Sequence, residues 1–196
     1  MTSRPRVVHL NGAPGVGKST LARRYVTDHP DTLDLDIDVL RTLVGGWDRD
    51  FGRAGLLVRP VAMAAMQAHL RNGHDVVLPQ LTARPGELAA IRDRVAETGA
   101  RHVHVVLIAD VGTAVRRFAD RVSTDGWHDP VGVTAAHVEA EGGETVLRSY
   151  RDRIAALVAA DPDTVVLDTT GDDADASYAA LLALLPPRFA ADAPDP

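Results

Sequence analysis

Residues 11–20 read NGAPGVGKST, and their spacing decides the fold. Gly12, Gly17, Lys18 and Ser19 fit G-x-x-x-x-G-K-[ST], the Walker A pattern. Glycines in such a loop let backbone N–H groups turn inward and approach phosphate oxygens without a Cβ in the way. The lysine reaches the β- and γ-phosphates, and the hydroxyl after it ligates magnesium. The flanks agree with this. RVVHL (6–10) is an apolar run of strand type, and STLARRYV (19–26) opens a helix. The helix adds its N-terminal dipole to the phosphate site. Gly12, Ala13, Pro14, Gly15, Val16, Gly17, Lys18, Ser19 and Thr20 are therefore the expected nucleotide-binding residues.

Outward from the loop, apolar and helical segments alternate. Strands are expected at 6–10, 32–38, 76–81, 103–109 and 164–167. Helices are expected at 19–26, 39–44, 60–71, 85–97, 113–121, 144–160 and 174–185. Pro60 is read as a helix start, and GGWDRDFGRAG (45–55) as a glycine-punctuated loop. This alternation predicts a three-layer α/β fold: a mostly parallel five-stranded sheet with helices on both faces and a helical lid. Ligands of such a sheet sit at the carboxyl ends of its strands. One domain over 1–187 is expected, with the lid at about 117–143 and a mobile tail at 188–196.

Composition narrows the classes. The chain has 196 residues, 45% hydrophobic and 24% charged, enough to bury a core. Its net charge of -6 argues against a dedicated nucleic-acid binder. With no cysteine, disulfides, thiolate metal sites and cysteine nucleophiles are excluded. The start of the chain lacks a secretory h-region, and no stretch approaches the roughly 20 apolar residues of a membrane span. A cytoplasmic location is the expectation. Guanine-specific switches carry N-K-x-D, and neither Asn11 nor Asn72 begins that motif.

TLDLDID (32–38) alternates apolar and acidic residues. On a strand, Asp34, Asp36 and Asp38 share one face. At the strand's carboxyl end, one of Asp36 and Asp38 would hold magnesium, directly or through water, and the other would accept a proton from an attacking hydroxyl. The alternative is the wet face of an edge strand. Arg41 would pair an anionic substrate group or orient Asp38. Trp47 and Phe51 would roof a substrate pocket or pack the core. His102 and His104 share a strand face, but no third metal ligand is near them in sequence. His128 and His137 lie in the expected lid.

With GAPGVGKST, DID, Arg41 and the helix AVRRFADR in hand, the chain resembles the small-molecule kinase branch of P-loop proteins, with shikimate kinase, gluconate kinase and chloramphenicol phosphotransferase. The resemblance implies ATP and Mg2+ as cofactors and phosphoryl transfer to a hydroxyl of a small molecule. It implies Lys18, Asp38 and Arg121 as catalytic residues, with Asp38 the base and Arg121 stabilising transferring charge. Arg117 would stack near adenine or touch phosphate, and the Thr169–Thr170 loop would contact adenine through its backbone. Asp110 reads as a helix N-cap in preference to a Walker B acid. Pro79-Gln80 stands where many P-loop enzymes place an aspartate, so magnesium would depend on Ser19, Asp36 and water. PQLTARPGEL is similar to a segment of tunicamycin-resistance-type proteins, which implies an alternative role in modifying or sequestering a drug or nucleotide conjugate. Gln80, Thr82 and Arg84 would then sit near the acceptor. A nucleic-acid end kinase and a GTPase switch are the less favoured readings.

Overall fold

In the computed structural model, residues 4–120, 130–171 and 173–186 are described. The chain order is β1 (Arg6–Asn11), α1 (Lys18–Asp28), β2 (Leu33–Asp34), α2 (Ile37–Arg41), α3 (Phe51–Arg71), β3 (Val76–Leu78) and α4 (Pro85–Ala96). It continues with β4 (Arg101–Ile108), α5 (Val111–Ala119), α6 (Val131–Ala140), α7 (Glu144–Ala160), β5 (Val165–Asp168) and α8 (Ala174–Leu184). The strands form one sheet in the order β2-β3-β1-β4-β5, and all four pairings are parallel.

β1 is the centre of the sheet and is buried along its whole length. Its alternation divides the core. Val8 and Leu10 join Val105, Leu107 and Leu167 under α1 and α8, through Leu21, Tyr25, Tyr178 and Leu181. Val7 points the other way and joins Val76 and Leu78 under α3 and α4, through Val58, Ala62, Met66 and Ile91. Two helical layers thus cover the two faces of the sheet, giving the expected three-layer α/β architecture. Burying such aliphatic side chains stabilises by about 1.5–3 kcal/mol each before chain entropy is counted.

Two elements differ most from the sequence expectation. The second strand was expected to run from 32 to 38 but pairs only over Leu33–Asp34. Asp36 ends it: its Oδ1 accepts from the Asp38 backbone N–H at 2.9 Å and caps α2, which starts at Ile37. Asp36 and Asp38 are therefore a cap and a first-turn residue, not neighbours on one strand face. The apolar pattern still marked burial correctly, because Leu35 and Ile37 are each 2% exposed.

The segment 45–55 was expected to be a loop, but α3 begins at Phe51. Asp50 caps it by accepting from the Arg53 N–H at 2.9 Å. Pro60 is then interior to the helix and not at its start. It supplies no N–H to the turn before it. α6 falls inside the stretch where a helical lid was expected, between Pro130 and the positive-φ pair Gly142 and Gly143. Of the expected lid, residues 121–129 lie outside the described residues, and so do Arg121, His128 and the expected tail. Among the described residues, no helix is long and apolar enough to cross a membrane.

Candidate active site

The loop between β1 and α1 lies against the ends of β4 and α5. Gly12, Gly15 and Gly17 all have positive φ, at 147°, 85° and 96°. Two of them also lack room for a side chain. A Cβ on Gly12 would stand 2.6 Å from the Leu107 carbonyl oxygen, and one on Gly15 would stand 2.1 Å from that of Ala114. Gly17 meets nothing within 4 Å, so its backbone angle alone calls for glycine. Lys18 folds back over the loop, and its Nζ donates to the carbonyls of Gly12 (2.8 Å) and Ala13 (3.0 Å).

Ser19, in the first turn of α1, donates from Oγ to Asp36 Oδ2 at 3.0 Å. The β2–α2 turn therefore brings a carboxylate to the mouth of the phosphate loop. A hydroxyl and a carboxylate oxygen are the hard donors magnesium takes. That ion usually keeps several waters and uses substrate phosphates besides one or two protein ligands, so the pair fits it. Among the described residues no group of three histidines, aspartates or glutamates is arranged to hold a metal without such help.

Beyond Ser19 opens a cleft of about 320 Å³. Lys18, Ser19, Asp38, Arg41, Gln80 and Arg84 all line it. Asp38 is about 40% exposed there, and its Oδ1 lies 3.5 Å from Arg41 Nε. The Arg41 guanidinium sits over an aromatic ring. Phe51 lies under it with 4.2 Å from Cζ to the ring centroid, and a Cβ on Gly55 would stand 2.8 Å from Nε. Burial lowers the Arg41 pKa, and the neighbouring Asp38 carboxylate opposes that. Asp34, nearer the sheet, is different. Burial, then the charge of Asp36, pushes its carboxyl up to about 6.

Two sequence expectations change here. Trp47 does not line this cleft. It is half-buried at a separate hollow formed by Thr42–Asp48, because the turn closed by Trp47 N–H to the Val44 carbonyl carries it outward. Phe51, one helical start later, takes the inner position. Thr82 is also absent from the lining: it is 1% exposed, beneath the cleft floor.

Sequence reading named Arg84 and His137 but missed the lining residues Arg59, Glu87, Glu141, Tyr150 and Arg153. Arg59 on α3 and Arg84 both approach Glu87 Oε1, at 3.4 and 3.6 Å. His137 and Glu141 on and after α6 interact at 3.3 Å, and the Tyr150 hydroxyl donates to Glu141. Arg153 of α7 completes that wall. The four-residue spacing of His137 and Glu141 was a readable signal. The approach of Arg59 to Glu87 spans 28 residues and has no local signature.

On the other side of α1, Arg117 donates from Nη1 to the Thr169 carbonyl at 2.8 Å and from Nη2 to that of Gly171. Thr169 is 3% exposed, and its hydroxyl is shared between the carbonyls of Val16 (2.9 Å) and Ile108 (3.0 Å). A hollow of about 110 Å³ lies between Gly17, Thr20, Arg117 and Thr169. Thr170 Oγ1 accepts from the Asp110 N–H at 3.2 Å. Asp110 itself caps α5, its Oδ1 accepting from Thr113 N–H at 2.9 Å, and lines neither space.

The strand histidines have a third companion. Parallel pairing sets His9 beside His104, with ring centroids 5.1 Å apart and His102 5.5 Å from His9. Burial leads in depressing all three, His102 to about 3 and His104 to about 4, so they are neutral at pH 7.

A family model described as AAA domain matches residues 7–143, the span from β1 through the phosphate loop to α6. The chain belongs to the AAA domain family. No curated protein matches the sequence. Among solved structures, this AAA domain is similar to a protein from Chloroflexus aurantiacus (TM-score 0.63, 18% identity, covering 93% of this chain and 100% of that one). It is similar also to APE1195 (0.60, 21%, 94% and 96%) and to a gluconokinase from Sinorhizobium meliloti 1021 (0.55, 16%, 91% and 94%). At these identities the likeness establishes a shared P-loop fold.

Proposed function

We propose that this AAA domain is an ATP-dependent phosphotransferase that moves the γ-phosphoryl group to a hydroxyl of a small molecule. The observation that carries the reading is the sharing of one cleft by Lys18 and Ser19 of the phosphate loop and by Asp38, with Asp36 bonded to Ser19 between them. Phosphoryl transfer asks a protein chiefly for positioning, charge neutralisation and a group that orients the nucleophile.

In this reading the loop amides from Gly12 to Thr20 surround the phosphates. Lys18 leaves the Gly12 and Ala13 carbonyls for the β- and γ-oxygens. Ser19 and Asp36 would hold Mg2+, which neutralises phosphate charge when bound. The adenine side falls in the hollow by Arg117, with backbone of Thr169 and Thr170 at its edge. Asp38 accepts the proton of the acceptor hydroxyl as the new O–P bond forms and the bond to the β-phosphate oxygen breaks, releasing ADP. Arg41 holds Asp38 or meets an anionic group of the acceptor, with Gln80 and Arg84 on the facing wall. Arg121 is proposed to steady the transferring charge. A cytoplasmic location goes with ATP as the donor.

Incubation with ATP, Mg2+ and a panel of alcohols, sugars and antibiotics tests this. ADP release that depends on an acceptor is the expected result. Release that never depends on one, or binding of a drug whose protective effect survives Asp38→Ala, would replace the phosphotransferase with a hydrolase or a sequestering protein.

A further inference from the structure

Four hydrogen-bonding contacts converge on one fully buried side chain, Asn11, the last residue of β1. Its Oδ1 accepts from the N–H of Gly12 at 2.8 Å and from that of Thr82 at 2.8 Å. Its Nδ2 donates to the Thr82 carbonyl at 2.8 Å and lies 3.1 Å from His104 Nε2. A carboxamide has two N–H donors and two lone pairs, so this one is fully used.

Only one orientation serves. A flipped amide would set its NH2 against two backbone N–H donors. His104 must accept at Nε2, which puts its proton on Nδ1, facing Thr164 Oγ1 at 2.8 Å. The Thr164 hydroxyl then donates to Asp161 Oδ2 at 2.6 Å, and Asp161 pairs with Arg92. The relay fixes the amide from behind.

The two backbones that Asn11 joins belong to different halves of the site. Gly12 opens the phosphate loop. Thr82 lies within 80–84, whose Gln80, Ala83 and Arg84 line the cleft beside Asp38. His9 adds a second tie, from Nε2 to the Gln80 carbonyl at 3.0 Å.

We infer that Asn11 is a positioning residue that couples the nucleotide loop to the acceptor-side segment 80–84, so that nucleotide occupancy is felt there. The assignment of 80–84 to the acceptor side rests on the phosphotransferase reading. No other side chain makes the same four contacts from this position: aspartate lacks the donors, serine is too short, and glutamine reaches too far.

Hydrogen exchange of the full chain with and without MgADP tests the coupling. In the wild type, ADP should slow exchange of backbone amides in 80–84 by about tenfold or more. Asn11→Ser should still bind ADP and lose that ADP-dependent change, a difference that a purely structural role would not move. His104→Phe, which removes one acceptor and the orientation lock, should weaken the change, and His104→Gln, which keeps an acceptor, should restore it. This pair decides the matter if Asn11→Ser does not fold. A wild-type response in folded Asn11→Ser or in His104→Phe overturns the inference, as does wild-type ADP binding without any change at 80–84. Failure of the wild type to bind ADP at all overturns the phosphotransferase reading, and this coupling with it.

Discussion

The two sides of the cleft are built in opposite ways. The phosphate loop is one unbroken stretch, Gly12 to Thr20, held by backbone angles and by a lysine that bonds carbonyls five and six residues away. The acceptor side is gathered from α2, α3, the segment after β3, α6 and α7, and its charged pairs are between side chains. A loop that binds one invariant group, a phosphate, can be made of backbone. A wall that must suit a particular molecule is made of side chains drawn from wherever the fold presents them. The phosphate side should therefore fail abruptly when altered, and the acceptor side by degrees.

Lys18→Ala is the largest expected break. Loss of the cation at the β- and γ-phosphates should abolish acceptor-dependent ADP release and weaken ATP binding, measured by turnover and by ATP titration.

The glycines sharpen the contrast in stability. Gly15→Ala drives a Cβ into the Ala114 backbone and should cost about 3 kcal/mol or more in denaturant unfolding. Gly17→Ala meets open space and carries only the left-handed strain of about 1 kcal/mol. Equal losses in the two variants would mean that the loop is not pressed against α5.

On the acceptor side, Gly55→Ala should be milder. The new methyl displaces the movable end of the Arg41 side chain. Unfolding stability should stay within about 0.5 kcal/mol while acceptor-dependent turnover drops about tenfold, a barrier change of about 1.4 kcal/mol. ATP affinity should be kept, which steady-state kinetics in both substrates would check.

Asp34→Asn gives the smallest effect. The folded carboxyl titrates near 6, above its usual 3.8, so its ionisation opposes folding. Relative to the variant, the wild type should lose stability as pH rises from about 4 to about 6 and show no further difference above that. At pH 7.5 the variant should be more stable by about 1 kcal/mol, allowing for partial solvent screening. Parallel curves for the two proteins across that range would show Asp34 to be solvated.

Much of this was legible in the sequence. The Gly-rich motif, the apolar run before it and the alternation of elements were enough for the sheet and its layers. The pattern of TLDLDID marked Leu35 and Ile37 for the core, yet it misjudged the element. Burial periodicity over seven residues cannot show that Asp36 will cap a helix after two residues of pairing. Glycine was misread at Gly55, where it signals a close side-chain approach and not a turn. Trp47 and Phe51 read alike in the sequence, and only the turn before α3 shows that Trp47 swings away from the cleft. The pairing of Arg59 with Glu87, and of His9 with His104, depends on chain crossings that no local spacing records.

The central claim is that the two sides form one phosphoryl-transfer site with Asp38 on the acceptor side. Asp38→Asn, assayed for MgATP affinity and for acceptor-dependent ADP release on the same preparation, tests it most directly. Nearly intact affinity with turnover lower by about 10²–10⁴ is the predicted result. Turnover equal to that of the wild type would contradict it.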